Sequence, residues 1–334
     1  AHFPGTSVPA VRTGERREDS MNRALAPALL SAAALAVAVG LAAETRIEKT
    51  LKLAPGGEFR LDTDMGKVTV TGSSEPDAHV VITSKRKELE ELLTFRFDEG
   101  ASGVSITARK RHKFDWFGNS GNVAYEIRVP AETRVSIETS GGGINISSLT
   151  RDANLNTSGG GIGVKDHTGN VDCDTSGGGI DLSNIRGNVR AETSGGGVTA
   201  AGVEGSVNAE SSGGSIELER VTGDIKADTS GGGIRIVEAG GRVNADTSGG
   251  GIEASFARGN AMGGTLETSG GGIEVSLDPS VDLAIDAHGN GVHTDLPLRI
   301  RGEISRGNLS GELGKGGNTL RLHTSGGSVR IQSL

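Results

Sequence analysis

The sequence is nearly without sulfur chemistry and poor in large rings: its 334 residues include one cysteine, Cys173, and 3% aromatics. A single cysteine excludes an intrachain disulfide and any cysteine-built zinc site. A scarcity of Phe, Tyr and Trp excludes the thick aromatic core of a large globular domain, because those side chains normally supply much of the buried area. The core must then be thin and built from Ile, Val, Leu and Ala. A surplus of cations is missing too. The net charge is -8, and the stretch from Thr139 to Ser276 alone carries 17 acidic and 9 basic residues. Such a surface repels phosphate backbones, which argues against nucleic acid as a partner. Helical periodicity is absent except for the short, charged stretch Lys85–Leu93, which reads equally well as a loop.

Long apolar runs are confined to one place. Met21-Asn22-Arg23 is followed by small apolar residues from Ala24 to Ala43, ahead of Glu44. A basic head, an apolar middle and small residues before a polar start make a secretory signal peptide over 21–43, cleaved after Ala42 or Ala43. If it stayed uncleaved, the same run would be long enough for a membrane anchor. Residues 1–20, before Met21, read as an upstream extension outside the fold.

Glycine is abundant, with 55 residues, about twice the usual share. It recurs with a long period rather than at every third position, which excludes collagen. The string T-S-G-G-G begins at Thr139, Thr157, Thr175, Thr193, Thr229 and Thr247, and Ser211 opens a degenerate copy. The step is 18 residues. A step of 21 leads to Thr268, placing a three-residue insertion near Asn260–Gly264, and a last copy starts at Thr324. Each 18-mer divides into two nonamers of the form x-x-x-G-x-Φ-x-Φ-x, with Φ apolar, as in Ile180/Leu182 and Val189/Ala191. Alternation at period two is a strand with one buried face, and glycine at a fixed offset supplies a turn or a close backbone approach. The expected fold is all-β: a parallel β-solenoid of 18-residue coils, each of two nonapeptide strand-turn units, with irregular β caps at both ends. A two-sided coil fits best, with large first-half pairs such as Ile234/Ile236 facing small second-half residues such as Ala191, Ala209, Ala227 and Ala245. A three-sided helix remains open if neighbouring coils bend differently. The regular repeat spans 131–276, flanked by a cap region over 44–130, which holds most of the aromatics, and a closing β region over 277–334.

Stacking brings equivalent residues of every coil into columns. Glu138, Asp174, Glu192, Glu210, Asp228 and Asp246 all precede the T/S-S-G turn. Like charges about 5 Å apart need water or cations between them. The column reads first as a solvated edge that deters lateral aggregation, and second as a stripe for divalent cations or a basic ligand. The threonine column reads as a hydroxyl ladder bonded within the turns, since ice binding would want paired T-x-T ranks. Calcium rolls need Asp two after the key glycine, where this chain has Ile or Val. No cofactor motif, metal-ligand spacing or catalytic constellation stands out, and the glycine runs are not phosphate loops because no helix follows them. The most unusual local surface is R-K-R-H-K-F-D-W-F over 109–117. There Arg109, Arg111, Lys113, Phe114, Trp116 and Phe117 combine cations and rings suited to an anionic glycan, a lipid headgroup or a protein partner, unless the rings pack onto the cap.

The signal peptide, the strand Y-E-I-R-V-P at Tyr125–Pro130, the stacked T-S-G-G-G-I elements and the closing T-S-G-G-S-V-R-I resemble the putative-adhesin family of bacterial exported proteins over 45–334. The resemblance implies a β-solenoid in the cell envelope and brings no catalytic residues with it. The expected function is a non-catalytic, exported, adhesin-like binding or scaffold protein of the periplasm, cell surface or medium, with an envelope glycan or envelope protein as partner. The alternatives are an envelope-stress sensor acting through protein contacts and a β-helix carbohydrate-active enzyme.

Overall fold

The computed structural model describes residues 45–85, 89–111, 123–301 and 305–334. They form an all-β solenoid of two long, mostly parallel sheets, with 14 strands in sheet 1 and 15 in sheet 2. The one helix among the described residues is the single turn Leu89–Leu92, and no described helix is long and apolar enough to cross a membrane.

Each coil gives its first strand to sheet 1 and its second to sheet 2, so the coil is two-sided. Ile180–Arg186 pairs in parallel with Ile162–Thr168 and Val198–Glu204, always in the register of the 18-residue step. Val189–Thr193 does the same with its neighbours in sheet 2. The second strand buries every other residue, Val189, Ala191 and Thr193 in this coil. The first strand departs from strict alternation. It buries Ile180 and Leu182, then skips two residues to bury Ile185. The cause is a left-handed residue at Asn184 (φ 56°), repeated at Ser148, Asp166, Arg220 and Glu238. This residue bends the strand and shifts the inward face by one position. Asn and Asp tolerate that conformation better than most residues. The bend creates a further core column, Leu149, His167, Ile185, Val203, Val221 and Ala239, all buried. The two-nonamer pattern does not contain it, because that pattern assumes two inward residues per strand.

From Thr157 onward, the turn that opens each T-S-G-G-G string holds one coil to the next. The threonine is the last inward residue of its sheet 2 strand and is buried. Thr193 Oγ1 donates to Gly178 O of the preceding coil (2.7 Å) and accepts from Gly196 N–H of its own turn (3.2 Å). Thr175 and Thr247 make the same two bonds, and Ser211 keeps them with its shorter hydroxyl. The ladder therefore runs between coils as well as within the turns. Glycine is required beside it by proximity: a Cβ on Gly196 would lie 2.2 Å from Gly178 O. At the opposite turn, Gly187 combines the same closeness with a φ of 152°.

The three-residue insertion is absorbed by Asn260. Its buried amide donates to Ala239 O (2.6 Å) and Gly241 O (2.9 Å) and accepts from Met262 N–H (2.8 Å). The main chain thereby regains its register, and Gly264–Thr268 pairs with Val243–Thr247 without a slip.

Coil order in space departs from chain order at both ends. Glu58–Thr63 and Lys67–Ser73 stack directly on Arg134–Thr139 and Ile144–Ser147. The segments between them in sequence run outward, with Gly103–Lys110 and Val123–Pro130 adding another coil. At the far end, Thr319–Thr324 and Val329–Ser333 insert beside Gly264–Thr268 and Ile273–Leu277. The earlier strands Leu283–His288 and Val292–Thr294 lie outside them. Antiparallel strands finish sheet 2 at both ends and sheet 1 at the first end: Leu93–Gly100, Ala78–Ser84 and Thr45–Leu51 there, and Asn308–Leu313 with Arg299–Ile300 at the other. In the first of these, Phe95 stacks on Phe97 (6.2 Å between ring centres), and Lys49 lies over the Phe97 ring (5.9 Å). The free edge Thr45–Leu51 carries Arg46, Glu48 and Lys49, charges that discourage edge-to-edge pairing.

Replacing Thr193 with Val keeps the shape but leaves a carbonyl and an N–H unpaired in a half-buried corner. Urea denaturation of Thr193→Val is expected to show a loss of about 1–3 kcal/mol. Thr199→Val, on the outward face of sheet 1, is expected to stay within about 0.5 kcal/mol of the wild type.

Candidate binding face

Alternation along the sheet 2 strands sends two residues per coil outward, and the parallel register turns them into two columns. One runs through Asn154, Asp172, Arg190, Asn208, Lys226 and Asn244. The other is the acidic column Glu138, Asn156, Asp174, Glu192, Glu210, Asp228 and Asp246. The structure brings all six acids singled out from the sequence into this one line. It extends the line by Asp62 at one end and by Glu267 and His323 at the other. From Asp174 to Asp246 the acids border an open groove of about 390 Å³, whose other wall is the serine row Ser194, Ser212, Ser230 and Ser248.

Cations of the neighbouring column make this spacing of like charges tolerable. Arg190 pairs with Glu192. Lys226 Nζ sits between Glu210 Oε1 (3.0 Å) and Asp228 Oδ2 (2.6 Å). Among the described residues, Asp174 and Asp246 are in no ion pair. The titration behaviour follows the pairing. The Lys226 hydrogen bond holds the Glu210 carboxyl below its usual range. Partial burial pushes Glu192 up; Arg190 opposes this, while the like charges of Glu210 and Asp174 add to it. No group of three or more His, Cys, Asp or Glu among the described residues is arranged to hold a metal ion.

The basic segment begins at the head of this column. Arg109 is the second-last residue of the strand Gly103–Lys110, which lies between Glu58–Thr63 and Leu93–Gly100 in sheet 2. Its guanidinium binds Asp62 Oδ1 (2.6 Å) and Asp64 Oδ1 (3.1 Å), and Lys110 N–H donates to Asp64 Oδ2 (2.8 Å). The Asp62 hydrogen bond is the main reason the guanidinium holds its proton even more firmly than usual. Arg111 is exposed, with its N–H bonded to Leu92 O (3.0 Å). Lys113, Phe114, Trp116 and Phe117 lie outside the described residues. Two candidate surfaces found separately in the sequence thus meet at the Arg109–Asp62 contact. Glu267 is legible as the residue before Thr268, beyond the 21-residue step, but the acidic column read from the sequence stops at Asp246. Asp62 has no such signal, because Thr63 is followed by Asp64 and Met65 instead of S-G-G.

Two further grooves lie on the outer faces. One, of about 530 Å³, crosses the first coils of sheet 2 between Arg60, Arg134, Asp172 and Arg190. The other, of about 640 Å³, crosses the last coils of sheet 1, where Arg235 bridges Glu217 and Glu253. Cys173 is buried in the core, and burial pushes its thiol far above the ordinary range.

A family model described as Toastrack DUF4097 matches residues 57–332. Several solved structures are similar to the chain at low identity. A protein from Parabacteroides distasonis named putative lipid binding protein is 12% identical, with 86% of this chain and 96% of that one covered and a TM-score of 0.43. A putative adhesin from Bacteroides fragilis is 14% identical over 88% of this chain and 99% of that one, with a TM-score of 0.36. A putative adhesin from Parabacteroides distasonis is 10% identical over 88% and 98%, with a TM-score of 0.34. No curated protein matches the chain.

Lys226→Ala removes the cation shared by two acids. The Glu210 carboxyl is expected to titrate at higher pH in the variant, as read by NMR of the side-chain carbon. A carboxyl held low in the fold stabilises it above its unfolded value and loses that contribution as the pH falls. The variant should therefore be less stable by about 0.5–1 kcal/mol at pH 7, with the difference shrinking as the pH falls and Glu210 takes up its proton.

Proposed function

The chain belongs to the Toastrack DUF4097 family, and we propose that it works as a non-catalytic, exported binding and scaffold protein of the bacterial cell envelope, adhesin-like in action. The observation that carries this reading is the outer face of sheet 2, where a column, acidic except at Asn156, runs from Asp62 to Glu267 and borders an open groove from Asp174 to Asp246. A surface that repeats along the stacking direction offers the same chemistry every coil, about 4.8 Å apart. That suits an extended ligand rather than a small molecule held in a closed pocket. The acids Asp174 and Asp246, free of ion pairs among the described residues, favour a partner carrying amines or basic side chains, such as an amino-bearing envelope glycan or a basic stretch of an envelope protein. Nucleic acid is disfavoured by the same charge. The apolar run over 21–43 supports export.

The test is a binding assay of the protein, without the segment 1–43, against isolated cell-wall and envelope-membrane fractions at several salt concentrations. Saturable binding that weakens with salt is expected. The double variant Asp174→Asn, Asp246→Asn should bind several-fold more weakly with a shallower salt dependence, since each lost charge removes one screened contact. Trp116→Ala tests the basic-aromatic segment in the same assay. Failure to bind any fraction would overturn the reading, and binding to the membrane fraction alone through a protein would move it to envelope signalling.

A further inference from the structure

His167 occupies the core column formed by the strand bend, in line with Leu149 of the coil before and Ile185 of the coil after. It is 1% exposed, and neither ring nitrogen has a hydrogen-bond partner. The column is otherwise aliphatic from Leu149 to Ala239 and continues with Phe256. The charged side chains on the surrounding elements are Lys165 and Asp166 on its own strand, Arg151 and Asp152 in the turn before, Arg186 in the coil after, and Asp172 on the next sheet 2 strand. All six are exposed. Asp166 accepts a hydrogen bond from the Asn184 amide (2.8 Å), and the Asp152 carboxylate accepts one from Asn170 N–H (3.0 Å). Asp152 alone among them favours the ring's charged form, together with the Asn170 main chain, and neither closes a hydrogen bond of ordinary geometry on the ring. Cys173 is the nearest buried titratable group in sequence and stays protonated.

We infer that His167 is a proton-triggered weak point in the stack: a charge on its imidazole opens the strand Ile162–Thr168 from its neighbours Ile144–Ser147 and Ile180–Arg186. A neutral ring fits the column as a bulky, partly apolar group. An imidazolium there carries two donors, neither of which has an acceptor in ordinary hydrogen-bond geometry, and it regains full solvation only if the coil opens to water. Burial already pushes the ring's titration below its usual 6.5, so the neutral form is the one the fold holds. The sign follows: the coil is stable above pH 6.5 and loses stability as the pH falls below it, where the opened form takes up the proton. The inference does not depend on the binding reading.

Hydrogen exchange of the full chain at pH 7.5 and 5.0, corrected for intrinsic rates, tests it together with His167→Leu, which installs the residue found one coil earlier. Amides of Ile162–Thr168 in the wild type are expected to lose at least tenfold protection at pH 5.0, and those of the variant to keep it. Equal protection at both pH values in the wild type, or an equal loss in the variant, would overturn the inference. Should His167→Leu not fold, NMR titration of the wild-type ring decides. Titration below pH 6.5 with loss of the native signals of neighbouring strands supports it, and titration at or above 6.5 with those signals intact overturns it.

Discussion

A buried threonine or serine hydroxyl, donating to a glycine carbonyl one coil back and, at most corners, also accepting from a glycine N–H in its own turn, fixes the corner of one coil against the next. The main chains at that corner approach so closely that a single Cβ on Gly178 would fall 2.2 Å from Gly160 O. The two requirements support each other. Glycine lets the turns nest, and nesting brings the carbonyl within 2.7 Å of the hydroxyl. Because the coils from Thr157 onward repeat the corner, their register cannot slip by one residue without exposing the apolar pairs and losing the hydroxyl bonds together. The fault line is also visible. Thr139 has a buried hydroxyl without a partner, and its counterpart Thr63 turns instead to Tyr125 Oη (2.8 Å) and Met65 O (2.9 Å). The ladder thus starts at Thr157, whose hydroxyl donates to Gly142 O (2.7 Å), inside the coils of Gly103–Lys110, Glu58–Thr63 and Arg134–Thr139.

A fixed register has a consequence for charge. Side chains that a globular protein would scatter are forced into files one strand spacing apart. The chain meets this repulsion with cations two residues earlier on the same strands, Arg190 and Lys226, and with neutral Asn156 in one slot. Where neither is supplied, as at Asp174 and Asp246, the groove retains unneutralised negative charge, and it is there that the proposed ligand finds its contacts. The ends obey a different constraint. A parallel stack has two open edges, and here the outermost strands of both ends of sheet 2 and of one end of sheet 1 run antiparallel. The closing coil of the chain is held between other coils instead of at an edge.

The central coils were legible because period and chemistry coincide: 18 residues, one T-S-G-G-G corner and two apolar pairs. The acidic column was legible for the same reason. The column Leu149–His167–Ile185 was not, because a left-handed residue such as Asn184 leaves no mark in a two-state apolar/polar pattern, and Arg220 and Glu238 are poor predictors of that conformation. The inserted end coils were equally hidden. Pairing between Glu58–Thr63 and Arg134–Thr139 is a long-range contact, and a repeat that says how coils stack does not say in which order the chain visits them. The Arg109–Asp62 contact depended on that order, so the meeting of the basic segment with the acidic column could be seen only in three dimensions.

The account stands or falls on whether the corners are part of the cooperative structure or ordinary surface turns. Native-state hydrogen exchange at the glycine N–H groups bonded to corner hydroxyls, Gly160, Gly178, Gly196 and Gly250, measures this directly. Exchange as slow as that of the adjoining strand amides, through global unfolding alone, is the predicted result. Exchange at the rate of exposed turn amides would show that the corners open freely, and would contradict the claim that they hold the stack together.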